Sequence, residues 1–401
     1  MIEPLRVRPL RWIDGLAAPG PDGPILVTGR DGRDRERSAV AAVDLSGRVR
    51  WRRELPGGPR PPRVDREGTV WVHRRGRRGP ELRGLDPAGG AAARVRPEHE
   101  TGERLAAFVV MPDGFCAIWL PRGPAARAAR VARHGADGAA RWSAPLVPGP
   151  LSYPGVGETS RESGWRRRPA PPWEAAAVEV GLAAPLLVSG DRVAAALWDA
   201  GSGIGVTFFL DAATGRPTGA TEPAPAGLNA VAGPGRFLVG SQGYGAFSTA
   251  LHDGSGVPVR AWPSHVMPLV GRDGGIRGPE SEDGQGARFA VLEPGGAVRR
   301  GPALAGHGTA DPALDRDGTA VLWRAGRLLA VSAELEAREL HAGAGEEEAV
   351  ARRILLLAEG RVALALGGEL LIFPGTGLGP LDTGPWPCAD GGLRGNPVAC
   401  L

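Results

Sequence analysis

An all-β chain of repeated antiparallel hairpins is predicted by three observations. Glycine (63) and proline (39) are too frequent for a helical protein of 401 residues and suit many short strands joined by tight turns. Apolar runs of strand length alternate with turn sequences along the whole chain. These turns also recur at a nearly constant period.

Glycine supplies the positive φ that tight hairpins demand, so it phases the repeat. One set of turns joins paired apolar runs, as in REGTVWV, PDGFCAI and AEGRVALAL. Its glycines, Gly23, Gly68, Gly114, Gly190, Gly235, Gly274, Gly318 and Gly360, are spaced by 45, 46, 76, 45, 39, 44 and 42 residues. A second set falls between them: VDLSGRVRW (Gly47), LDPAGGAAAR (Gly89), RHGADGAARW (Gly138), LDAATGRPT (Gly215), LHDGSGVPVRAW (Gly256) and LEPGGAVRR (Gly295). Its last members are degenerate. AVSAELEARE (330–339) retains strand alternation only, and LLIFPGTG (370–377) only a glycine after the apolar run.

Alternating hairpins at this period predict a single β-propeller over residues 1–401, with eight four-stranded blades and seven as the alternative count. A two-sheet sandwich explains strands but not a sustained period. Trp51, Trp142 and Trp262 follow their turns closely and are expected to pack blade against blade. Trp71, Trp119, Trp198 and Trp323 end the preceding strands and receive the same reading.

Leu-Asp or His-Asp, a short spacer, Gly and a strand ending in Trp resembles the repeat of quinoprotein-like (PQQ-like) β-propellers. That family includes the propeller of the bacterial outer-membrane assembly lipoprotein and the eight-bladed quinoprotein alcohol dehydrogenases. The tail GPWPCADGGLRGNP (384–397) is similar to the Trp-Pro segment that borders such propellers, so residues 380–401 are expected to pack on or close the ring. The resemblance implies the fold; members range from enzymes to scaffolds.

In an antiparallel four-stranded sheet the first and third turns share one end, and the second turn and the link to the next sheet share the other. The short glycine turns therefore define a plain face. The long connections define a decorated one: GRDGRDRERS (29–38), HRRGRRGPE (73–81), PRGPAARAAR (121–130), DAGSGIG (199–205), SQGYGA (241–246) and RGPESEDGQG (277–286). The anomalous spacing of 76 belongs there too, as a Pro/Arg/Trp-rich insert at 146–177 between the third and fourth blades. Arg74, Arg75, Arg77, Arg78, Arg166, Arg167 and Arg168 predict a positive rim, and Glu280, Glu282 and Asp283 a negative one.

The chain has no lysine, which removes P-loop and Schiff-base chemistry, and its 48 basic residues are all arginine. That bias resembles the coding of a GC-rich bacterial genome, so arginine frequency alone does not signal an acidic ligand. No serine lies in a nucleophile elbow, and the histidines have no metal-ligand spacing. His307, beside Asp311, is read as a polar contact where the chain enters a blade. DRDGT (315–319) is read as a hairpin turn and not a calcium loop. The resemblance would bring quinone and calcium ligands only with adjacent cysteines and asparagine ligands; this chain has separated Cys116, Cys388 and Cys400 and only Asn229 and Asn396. No cofactor and no metal are expected.

The amino terminus lacks a signal-peptide core, and ILLLAEGRVALALGGELLIF (354–373) is broken by Glu359, Arg361 and Glu369, so a cytoplasmic protein without a membrane span is expected. The leading expectation is a non-enzymatic scaffold of a bacterial multi-protein assembly, with NTPase-linked conflict systems suggested by the resemblance. It binds a protein partner through Trp165 and Trp173 as aromatic anchors and the arginines named above. The alternative is an enzyme or small-molecule sensor with its site at the mouth of the axial channel, and the third is nucleic-acid binding by the arginine rim.

Overall fold

The computed structural model describes residues 1–31, 37–56, 60–76, 79–122, 128–147, 178–181, 183–243, 246–281, 287–304, 310–343 and 353–399. In the first sheet Trp12–Ala17, Ile25–Arg30, Arg37–Val43 and Val49–Pro56 pair antiparallel in chain order. The same meander repeats in residues 63–95, 103–145, 186–220, 224–262, 269–303 and 313–342. The sheets at 186–220 and 224–262 are joined by the pairs Ile204–Pro225 and Gly205–Ala224. No α-helix occurs among the described residues.

The last sheet contains Leu355–Leu357, Arg361–Leu366 and Glu369–Phe373, and its outermost strand comes from the other end of the chain. Leu5–Val7 pairs with it, Leu5 opposite Ile372 and Val7 opposite Leu370. Glu369 accepts from Arg6 at 2.9 Å and from Nε of Arg8 at 2.8 Å, which pins the register. This explains the missing last hairpin in the repeat: that strand arrives from residues 5–7 and needs no turn.

The core lies in the seams between sheets. Leu26, Val40, Val70 and Val72 pack the first sheet on the second, and Val109, Ile118, Val188 and Leu210 the third on the fourth. Leu355, Ile372, Ile25 and Val27 pack the last on the first, so the succession closes into a ring. Each strand contributes alternate residues to its two seams, which is the period-two pattern of the sequence.

The three tryptophans expected between sheets also hydrogen-bond across the seams. Their indole N–H groups donate to backbone carbonyls of the next sheet's outer turn: Trp51 to Pro87 at 2.8 Å, Trp142 to Ala212 at 3.1 Å and Trp262 to Glu293 at 2.9 Å. The turn glycine is required there for space as well as for φ. At Gly215 (φ 72°) a Cβ would collide with the Trp142 ring.

Two turns differ from the expected phasing. Gly296 and not Gly295 takes the positive φ (97°), and in the degenerate AVSAELEARE turn Leu335 holds φ 72° without a glycine. There the amide nitrogens of Glu334 and Glu336 donate to the Ser332 hydroxyl, which replaces the usual Asp cap.

Candidate functional site

The innermost strands surround an axial cavity of about 340 Å³. The first sheet contributes Ile13, Asp14, Gly15 and Leu16; Arg60 and Arg63 come from the entry to the second, and Phe108 from the third. Leu228 and Asn229, Met267, Asp311 and Arg353 continue the wall. Trp386, Ala389 and Asp390, from the segment after the last sheet, also line it.

These inner strands are irregular where they meet the cavity. Register shifts fall between Ile13 and Gly15, between Leu105 and Ala107, and between Ala226 and Asn229. In the fourth sheet the inner strand is interrupted between Val178–Val180 and Leu186–Ser189, with Ala184 at φ 44°. A bulge turns side chains and carbonyls out of the ladder, and such features gather at functional rims.

The plain-face end of the channel is covered by residues 376–399. This segment bonds to one inner strand after another: Asp382 N–H to Leu314 O at 2.9 Å, Val270 N–H to Trp386 O at 2.8 Å, Ala18 N–H to Leu393 O at 2.8 Å and Val64 N–H to Arg394 O at 2.9 Å. Asn396 then imitates a strand, accepting from Val110 N–H at 2.9 Å and donating to Val110 O at 2.8 Å. Two cavity arginines hold this segment. Arg63 pairs with Asp390 at 3.1 Å and donates to Gly395 O, and Arg353 donates to Leu16 O at 3.0 Å and to Gly392 O. A second cavity, of about 490 Å³, lies between this segment and the turns at 19–21, 64–67 and 110–112.

Arg60 is different. It donates to Ala106 O and, at 3.4 Å, to Leu105 O, and no carboxylate of the described residues lies within ion-pair distance of it. Burial, with Arg104 nearby, lowers its pKa.

Most described histidines pack inside the sheets, but His265 accepts from the N–H of Leu228, a residue of the cavity wall, at 3.4 Å. His134 accepts from Trp119 Nε1 at 3.2 Å, His341 stands between Trp323 and Phe373, and His252 stacks on Phe209. Burial depresses His265 from 6.5 to about 4 and His73 to about 4. The Cys116 thiol is buried and pushed up to about 12. No group of three or more His, Cys, Asp or Glu side chains able to hold a metal occurs among the described residues.

Of the residues expected to contact a partner, Trp165, Arg166, Arg167, Arg168, Trp173, Arg77 and Arg78 lie outside the described residues, as do His307, Glu282 and Asp283. Arg75 is opposite Pro80 in a strand pair, its side chain outside the described set. HRRGRRGPE is not a long loop: Val70–Gly76 and Gly79–Leu85 carry the ladder through it, with Arg74 opposite Glu81. SQGYGA is likewise mostly strand, with Gly243 paired to Ala246.

Arg74 belongs to a cluster around the buried Glu81. Arg83 Nε and Arg94 Nε each reach this carboxylate at 2.7 Å, with Arg74 and Arg96 at 3.6 Å. Burial alone would raise the Glu81 pKa, but these guanidinium groups more than offset it and hold it below the ordinary value. Glu280, expected on an acidic rim, is also buried, and accepts from Arg300 at 2.8 and 2.7 Å.

A ring of antiparallel sheets around an axial cavity, closed by a strand from the start of the chain, is a β-propeller. Solved structures agree. The chain is similar to the Dos1 propeller (TM-score 0.59, 9% identity, covering 93% of this chain and 95% of that one). It is also similar to dipeptidyl peptidase 4 of Porphyromonas gingivalis (TM-score 0.50, 10% identity, 89% of this chain and 58% of that one). A streptogramin B lyase aligns with TM-score 0.48 and 12% identity over 93% of this chain and 96% of that one. No family model matches the sequence, and no curated protein matches it. No helix of the described residues is long and apolar enough to cross a membrane.

Proposed function

We propose that the chain is a non-catalytic scaffold of the PQQ-like propeller class, cytoplasmic and bacterial, that binds a protein partner through its decorated face. The observation that carries this reading is the contrast between the faces. One presents short turns and is covered by residues 376–399; the other is where the hairpin order of the sequence leads the long connections to be expected, the 146–177 insert among them. The packing of His134, His252 and His341 inside sheets, away from the cavity, supports binding over catalysis; His265 meets the cavity wall at the Leu228 N–H. Nine of the 11 tryptophans belong to the described residues, and the other two, Trp165 and Trp173, lie in the Arg-rich insert. Nucleic-acid binding has less support, since arginines such as Arg74, Arg130 and Arg300 are committed to internal carboxylates.

Deleting residues 155–175 tests the reading. The variant should keep the β far-UV spectrum and cooperative melting of the parent but lose the proteins recovered by affinity capture. Recovery of the same proteins after deletion overturns the assignment of this segment.

A further inference from the structure

We propose that the axial cavity binds a small organic monocarboxylate, its carboxylate on Arg60 and its far end hydrogen-bonded to Asn229. This site is independent of the decorated-face partner surface.

Arg60 supplies the charge. Its guanidinium has five N–H donors and spends donors only on the carbonyls of Leu105 and Ala106, which the bulge in that strand presents to it. Those carbonyls orient the planar fork without neutralising it. The neighbouring acid Glu179 is taken by Arg104 at 2.6 Å. A partly desolvated cation without a carboxylate partner is the setting in which a ligand oxyanion gains most, because a bidentate carboxylate replaces the missing counter-charge. The direction of the Arg60 pKa shift agrees with this imbalance.

Asn229 supplies the second anchor. It is 5% exposed, lines the cavity, and its side-chain amide hydrogen-bonds to no protein group among the described residues. Its amide atoms are not sealed from the cavity, so a ligand there can reach them, and the chain bulges just before Asn229. Arg60 enters the second sheet and Asn229 lies on the inner strand Ala224–Gly233 of the fifth, and both line the same cavity.

The remaining lining selects the ligand. Phe108, Met267 and Trp386 offer apolar surface to its body. Asp14 and Asp311 also line the cavity, so a dianion such as phosphate meets more repulsion than a single carboxylate on an apolar body. A volume of about 340 Å³ lies at the small end of ligand sites.

The test uses the full chain with benzoate, indole-3-acetate and hexanoate, the neutral isostere benzamide, and inorganic phosphate, read by calorimetry and thermal shift. At least one carboxylate should bind saturably and raise Tm, while benzamide and phosphate should not. Arg60→Gln and Asn229→Ala should each weaken that binding by about tenfold or more, the loss expected for a hydrogen bond to a charged or buried group. If Arg60→Gln fails to fold, Asn229→Ala decides. The variant lacking residues 155–175 should bind the carboxylate unchanged, which separates failure here from failure of the partner surface. Absence of binding by all three carboxylates, equal binding of benzamide, binding of phosphate alone, or unchanged affinity in the variants overturns the proposal.

Discussion

The indole N–H of Trp142 donates to the carbonyl oxygen of Ala212 at 3.1 Å, across the seam between the third and fourth sheets. The ring also lies against Gly215, so area burial and one hydrogen bond act together. Trp142→Phe keeps most of the area and loses the bond, and should cost about 1 kcal/mol. Trp142→Ala loses both and should cost roughly 3 kcal/mol. Urea midpoints of the two variants check this; equal midpoints would mean that the tryptophan is not a seam contact.

Glu81 holds the charge of four arginines on the second sheet while only 2% exposed. Glu81→Gln leaves those guanidinium groups facing one another without a counter-ion and should destabilise the fold by about 3 kcal/mol. Added salt should recover part of the loss, since the arginines themselves are partly exposed. A melting series at low and high ionic strength measures both effects.

Acid should unfold the protein in two stages. His265 is neutral in the fold, its pKa depressed by burial from 6.5 to about 4. Above 6.5 neither state binds its proton. Between 6.5 and about 4 only the unfolded chain does, so stability is lost as pH falls through that window, by up to roughly 3 kcal/mol. Glu81 and Glu280, both held below their ordinary value, add a further loss below about pH 4.5, when the unfolded chain protonates them first. His73, also depressed to about 4, contributes to the same window, so replacing His265 by Gln should shrink the first stage without abolishing it and leave the second, as read from urea midpoints at pH 7, 5.5 and 4.

The all-β repeat was legible because tight turns constrain residue choice: Gly47, Gly68, Gly89 and Gly318 take φ of 80–85°, a region where glycine is nearly alone. The closing strand was not. Leu5–Val7 is too short to show a period, and Arg6 lies 363 residues from its partner Glu369. Arg74 was visible as a member of a charge run, but its burial of charge against Glu81 depends on strand register across a hairpin, which the charge pattern does not encode. Arg60 and Asn229 were missed for a similar reason. Each is an isolated polar residue whose importance comes from a bulge and from convergence on an axis, and nothing within ten residues of either announces that.

The pairing of Leu5–Val7 with Glu369–Phe373 also dictates when the molecule can be finished. During synthesis the first strand emerges long before its neighbour exists, and must wait with unpaired edges until nearly the whole chain has followed. Seams between consecutive sheets can form as they appear, but the seam joining last to first involves the greatest contour separation and so the largest closure entropy. Of all the seams, ring closure therefore carries the greatest loop-closure cost.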